Sequence, residues 1–179
     1  MRPTICKPLY LPMRHDEVAK VIYNAIIRHH FNNNQYVIPQ PVWKRGNIEL
    51  WWDTHIKTAP RVRNNKPDIV VWDIHKKKCV IVDICVPLDV NVTNQEKTKV
   101  DTYAPLIVGL LRIYPRYKFE VVLIVVGATG LVTDSLVKNI KKVLDDEEID
   151  VKEIATRIQL KALIGSMRVL KSALAMKPN

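Results

Sequence analysis

The chain has 179 residues, 47% hydrophobic and 26% charged, which suits one folded domain with its own core and excludes a disordered polyelectrolyte. Its formal net charge of +10 points to a polyanionic partner, nucleic acid above all, with a basic protein lacking such a partner as the plainer alternative. No apolar run approaches the roughly 20 residues of a membrane span, the first residues lack the apolar stretch of a secretory signal, and three cysteines without a C-x-x-C pair argue for reduced thiols in an intracellular protein rather than a disulfide scaffold or a zinc site.

Residues 1–14 carry Pro3, Pro8 and Pro12 and read as an extended lead-in. His15-Asp16-Glu17 then opens a helix to about His30, because Val18, Ile22 and Ile26, with Ala19, Tyr23 and Ile27, recur at helical spacing. Glu17 is expected in its first turn, favoured by the helix dipole, and His29-His30 at its C-terminal end. A loop rich in Pro and Gln follows, through Gly46. Ile48, Leu50 and Trp52 alternate with Glu49, Trp51 and Asp53, which predicts a strand over 47–53, with one tryptophan in the core and the other free to pack or to stack on a base. Residues 54–67 are basic and irregular. Strands are expected over Asp68–Asp73 and Cys79–Val86, joined by a turn at His75-Lys76-Lys77-Lys78; the second is nearly all apolar and belongs inside its sheet.

Thr93-Asn94-Gln95-Glu96 has the form of a capping box and announces a helix to about Tyr114, kinked at Pro105, with Tyr103 on its apolar arc. Phe119–Val126 reads as another buried strand. Gly127-Ala128-Thr129-Gly130 is a turn without the spacing of a nucleotide-binding loop. A helix over Leu131–Leu144, an acidic hinge over 145–150 and a long helix from Val151 to about Met176 complete the chain. The expected architecture is a mixed α/β domain: a core over 15–130 and a helical extension over 131–177.

Two carboxylates stand out. Asp68 precedes the apolar run Ile69-Val70-Val71-Trp72, and Asp83 shares one strand face with Cys79, Ile81 and Cys85. If the two strands form a hairpin, both acids meet at one sheet end. Like charges so placed repel. A hard divalent cation, Mg²⁺ or Mn²⁺, would relieve the repulsion, and could polarise a phosphodiester and activate water. Lys57, Arg61, Arg63 and Lys66 on one side and Lys76, Lys77 and Lys78 on the other bracket Asp68, and the first four are candidates for phosphate contacts. Taken singly, Asp68 as a turn cap and Asp83 as an ion-paired strand-end residue explain the pattern as well.

Pro67-Asp68, fourteen intervening residues and then Asp83-Ile84-Cys85 resemble the PD-(D/E)XK motif of the restriction-endonuclease-like fold. The segments IELWWD, NNKPDIVVWD, CVIVDICVPLDVNV, EKTKVDTYAPL and LIVVGATG, in that order, resemble the endonuclease region that follows the reverse transcriptase of non-LTR retrotransposons, and the tail IQLKALIGSMRVLKSAL is similar to its closing helix. The resemblance implies a mixed sheet with flanking helices (helix, three strands, helix, strand) plus C-terminal helices. It implies a metal-dependent activity that nicks DNA and acts in the nucleus, with the nick priming reverse transcription. Asp68 and Asp83 would be metal ligands, with the Ile84 carbonyl as a third. DNA is the implied substrate and RNA a further polyanion of the same kind.

The chain departs from the motif at Cys85, where the pattern has lysine. The similar retrotransposon variants take the lysine from the following helix, where Lys97 and Lys99 are the candidates on opposite edges of the apolar arc, and Glu96 lies near its midline with a capping role as its alternative. Spacing does not choose between the two lysines. Two other functions remain open: a catalytically inactive nucleic-acid-binding module of the same fold, or a structural, protein-interaction domain of a larger polyprotein. A nick needs one active centre and a double-strand break two, which leaves a homodimer open as well.

Overall fold

The computed structural model describes residues 10–92 and 101–175. Helix α1, Tyr10–Phe31, starts five residues before the expected His15. Pro12 stands in its first turn, where backbone N–H groups have no intrahelical acceptor and a missing one costs little. Glu17 therefore lies inside the helix, not in its first turn. Val18, Ala19, Ile22, Tyr23, Ile26 and Ile27 form the buried face, and Arg28, His29 and His30 occupy the last turn.

Five strands form one sheet in the order β1-β2-β3-β4-β5: β1 Val42–Arg45, β2 Ile48–Trp52, β3 Ile69–Asp73, β4 Lys78–Cys85 and β5 Lys118–Val125. The first four are antiparallel neighbours, and β5 runs parallel to β4 along its whole length. Strand β1 falls in the stretch expected to be loop. Its residues are exposed apart from a half-buried Trp43, so no alternation marks it. The hairpin forms because Arg45 pairs with Ile48 across Gly46-Asn47, and Gly46 adopts φ +57°, open to glycine at little cost.

A parallel neighbour needs a crossover, and α2, Ala104–Ile113, lies on that β4-to-β5 connection. Pro105 sits at the start of α2 rather than at a kink within one long helix: residues 101 and 102 are helical, and Tyr103 breaks the run. The expected capping box over 93–96 lies outside the described residues. Helix α3, Asp134–Leu144, and α4, Lys152–Ala175, follow. Asp145 ends α3 in the left-handed region and accepts from Lys76 and Lys78 at 2.5 and 2.6 Å, tying the β3–β4 turn to the helix.

The sheet separates two cores because alternate strand residues point to opposite faces. One core joins α1, α3 and α4 to Leu50, Ile69, Val71, Val80, Val82, Ile84, Val122 and Ile124. The other packs Leu106 and Leu110 of α2 and Tyr103 on Val70, Trp72, Cys79 and Ile81. Trp51 and Trp52 are both half-buried, on opposite faces: Trp51 lies 5.6 Å from Trp72 and Trp52 5.5 Å from Tyr23. The chain is thus a mixed α/β protein with helices on both faces of one sheet and further helices at its C-terminal end. No described helix is long and apolar enough to cross a membrane.

Candidate active site at the end of the sheet

Ile69 of β3 pairs with Val82 of β4 as the last rung of their ladder, and that register, if continued, would set Asp68 against Asp83 and Pro67 against Ile84. The backbone N–H of Asp53 donates to the Asp68 carbonyl at 2.8 Å, which fixes which way each residue of β3 faces. Even-numbered residues bond to β2, and odd-numbered ones turn to β4. Asp68 and Asp83 each stand one residue past the last β3–β4 rung, and their carboxylates open onto different cavities.

The next rung should bond residue 67 to Ile84, but proline has no N–H to give. The Ile84 amide edge is released from the ladder at this point. Its N–H donates instead to Asp68 Oδ2 at 2.6 Å. Its carbonyl lies 3.1 Å from His15 Nε2 of α1, and the same nitrogen lies 3.2 Å from Asp68 Oδ2. The His15 Nδ1 atom lies 3.2 Å from Asp16 Oδ1. Every neighbour named here is an acceptor, so both ring nitrogens carry protons. Burial works against that charge, but the hydrogen bond and charge of Asp68, then those of Asp16, outweigh it and raise the pKa to about 9.

Asp83 is buried and accepts a hydrogen bond from the Tyr103 hydroxyl at 2.7 Å. Burial first, then the charge of Asp83, pushes the Tyr103 pKa up, so the phenol stays a donor. Tyr103 belongs to the core as the sequence predicts, but its polar end belongs to the site. Asp83 opens onto a cavity of about 320 Å³ that Arg63, Asn65, Lys66 and His55 also line. Asn65, itself buried, holds this wall in place: its Nδ2 donates to the Ile56 carbonyl at 3.1 Å, and the Ile56 N–H donates to the Asn65 carbonyl at 2.7 Å. Asp68 lines a second cavity of about 260 Å³ with His15, Asp16, Trp52 and Asp53.

Of the four basic candidates, Arg63 and Lys66 reach the Asp83 cavity, and Lys66 also pairs with Asp53 at 2.7 Å. Lys57 and Arg61 are exposed on the same β2–β3 connection but do not line it. Glu96, Lys97 and Lys99 lie outside the described residues. Cys85 is half-buried next to the site and supplies a thiol where the motif has a cation. Glu17 turns away from the acids and is bridged by Lys161 and Lys20 at 2.8 and 2.9 Å, which hold its pKa down at about 2.

The residues present fit a hard divalent cation by their chemistry. Asp68 Oδ2 and the Ile84 carbonyl converge on one point, now bridged by the His15 N–H, and both are oxygen donors of the kind Mg²⁺ prefers. Among the described residues no three His, Cys, Asp or Glu side chains form a metal-binding group. A cation here would complete its shell with water or phosphate oxygens. Sequence reasoning missed His15, His55 and Asn65. His15 stands 53 residues from Asp68, and no local pattern announces such a contact. No protein-family model matches the chain, and no curated protein matches it.

Proposed function

We propose that this sheet end is the active centre of a metal-dependent endonuclease domain that nicks DNA, similar to those of non-LTR retrotransposons. One observation supports it above the others: Asp68 and Asp83 both lie at the end of the β3–β4 ladder, Asp83 in a cavity walled by Arg63 and Lys66 and Asp68 in a neighbouring one beside His15. Asp68, Asp83 and the Ile84 carbonyl are the residues that would hold Mg²⁺ or Mn²⁺. Such an ion, when bound, supplies Lewis-acid charge at a phosphodiester and lowers the pKa of water.

The chain's own groups do the rest. The Ile84 N–H and the Tyr103 hydroxyl fix the orientations of the two carboxylates. Arg63 and Lys66 offset phosphate charge at the cavity wall. Cys85 cannot orient an attacking water by charge, which leaves that task to Lys97 or Lys99. Nicking of chromosomal DNA would put the protein to work in the nucleus, and RNA would satisfy the same phosphate contacts.

The test is nicking of supercoiled plasmid with Mg²⁺ or Mn²⁺, wild type beside Asp83→Asn. Metal-dependent nicking should fall by on the order of 100-fold or more in the variant. Nicked circles as the product indicate single centres, and linear product indicates paired ones in a homodimer. A second function is favoured by the thiol at Cys85 and the His15 N–H bridging the would-be ligands: a nucleic-acid-binding module without catalysis. Binding that weakens steeply with salt, with no cleavage in either metal, would establish that instead.

A further inference from the structure

The outer face of α4 carries five large aliphatic side chains in a row: Leu160, Leu163, Met167, Leu170 and Leu174, each 42–67% exposed. Their spacing is three, four, three, four, the a and d positions of a heptad. The helix buries a different face, Ala155, Ile158, Ala162 and Gly165, against α1 and the core. At 100° per residue the exposed row lies about 140° round the helix from that face, so it is a second seam and not the rim of the first. Single exposed leucines are ordinary; a continuous seam of five is the pattern of an interface.

The flanks of the seam say what it fits. With Leu160, Met167 and Leu174 at a, the e positions are Arg157, Ile164 and Lys171, and the g positions are Gln159, Ser166 and Ala173. Arg157 pairs with Glu153 at 3.4 Å, whereas Lys171 has no ion pair among the described residues. A second copy of this chain is a poor match. An antiparallel pair sets e against e, basic on basic; a parallel pair sets e against g, where Gln, Ser and Ala offer no negative charge. We propose that α4 docks an acidic amphipathic helix of another protein, its apolar residues meshing with the leucine row and its carboxylates meeting Arg157 and Lys171.

The test uses the full 179-residue chain. Two labelled heptad peptides serve as probes, one with Leu at a and d and Glu at e and g, the other with Lys at e and g. Fluorescence anisotropy should show the Glu peptide bound at least about tenfold more tightly than the Lys peptide. Leu163→Asp with Leu170→Asp should cost about tenfold or more. Arg157→Glu with Lys171→Glu should reverse the preference, and this pair leaves the apolar row intact if the leucine variant unfolds. Equal affinity for both peptides, or none for either, overturns the proposal. So does a dimer in sedimentation velocity that the leucine variant dissolves, or uptake by phosphatidylserine vesicles without peptide binding.

Discussion

Pro67 and His15 together decide what the Ile84 amide edge meets. Proline withdraws the ladder partner, and His15 gives the freed carbonyl a donor while sharing Asp68 with the Ile84 N–H. A cation and the His15 N–H would compete for the same two oxygens. Calorimetry should therefore show Mn²⁺ bound more tightly by His15→Ala than by wild type and lost in Asp68→Asn. Unchanged affinity in His15→Ala would mean that the ring stands clear of the ligands when metal binds. The same histidine makes the fold sensitive to pH. Its folded pKa, about 9, lies above the ordinary 6.5, so its contribution is full below about pH 6.5 and is lost as pH rises through 9. Wild type should lose a few degrees of Tm across that window, and His15→Gln should lose less. Glu17, held near 2, titrates far below it. Parallel melting profiles for the two proteins would exclude His15 as the source.

Between elements, α1 and α4 pack tightly where Gly165 meets Arg14. A Cβ added at Gly165 would stand 2.5 Å from Arg14 Cγ and 2.8 Å from its Cβ, too near for either helix to keep its place. Arg14 cannot swing aside freely, because it donates to Ser166 Oγ at 3.0 Å and to the Val86 carbonyl at 2.6 Å. Gly165→Ala should destabilise by about 1–3 kcal/mol despite alanine's better helix propensity, a sign that thermal melting reads directly. That contact was invisible in the sequence, where Gly165 interrupts a helical pattern without explanation. Strands β2 to β5 were legible because burial of one or both faces writes itself into alternation or apolar runs, as in Ile69–Asp73 and Lys78–Cys85. Strand β1 was not, since an exposed edge imposes little on Val42, Lys44 and Arg45. Asp68 and Asp83 were legible as charges set among apolar residues. The tyrosine and histidine that bond to them were not, because each arrives from another element, 20 and 53 positions away. Asn65 belongs with them: a buried amide that looks like loop filler yet pins the wall of the Asp83 cavity. Asn65→Ala should cost about 1–3 kcal/mol, the usual penalty for stranding a buried hydrogen-bond partner, measurable by denaturant melts.

For the molecule as a whole, the charge of +10 sets how strongly any polyanion is attracted, while the fold decides which of the positive groups line the Asp83 cavity. Lys57, Arg61, Arg63 and Lys66 all ride on the β2–β3 connection, and all are exposed. If each neutralises one phosphate of duplex DNA, removing any two should lower the slope of log K against log salt by about 2. On that measure the pairs Lys57→Ala/Arg61→Ala and Arg63→Ala/Lys66→Ala are expected to be alike. They should part in cleavage. Arg63 and Lys66 share a cavity with Asp83, so their loss should slow nicking even at DNA concentrations that saturate the protein. Loss of Lys57 and Arg61 should be fully offset by adding more DNA, because those two side chains stand away from that cavity. A uniform effect of both pairs on the saturated rate would place the scissile phosphate somewhere other than the Asp83 cavity. A normal saturated rate in both would reduce all four residues to a general electrostatic attraction.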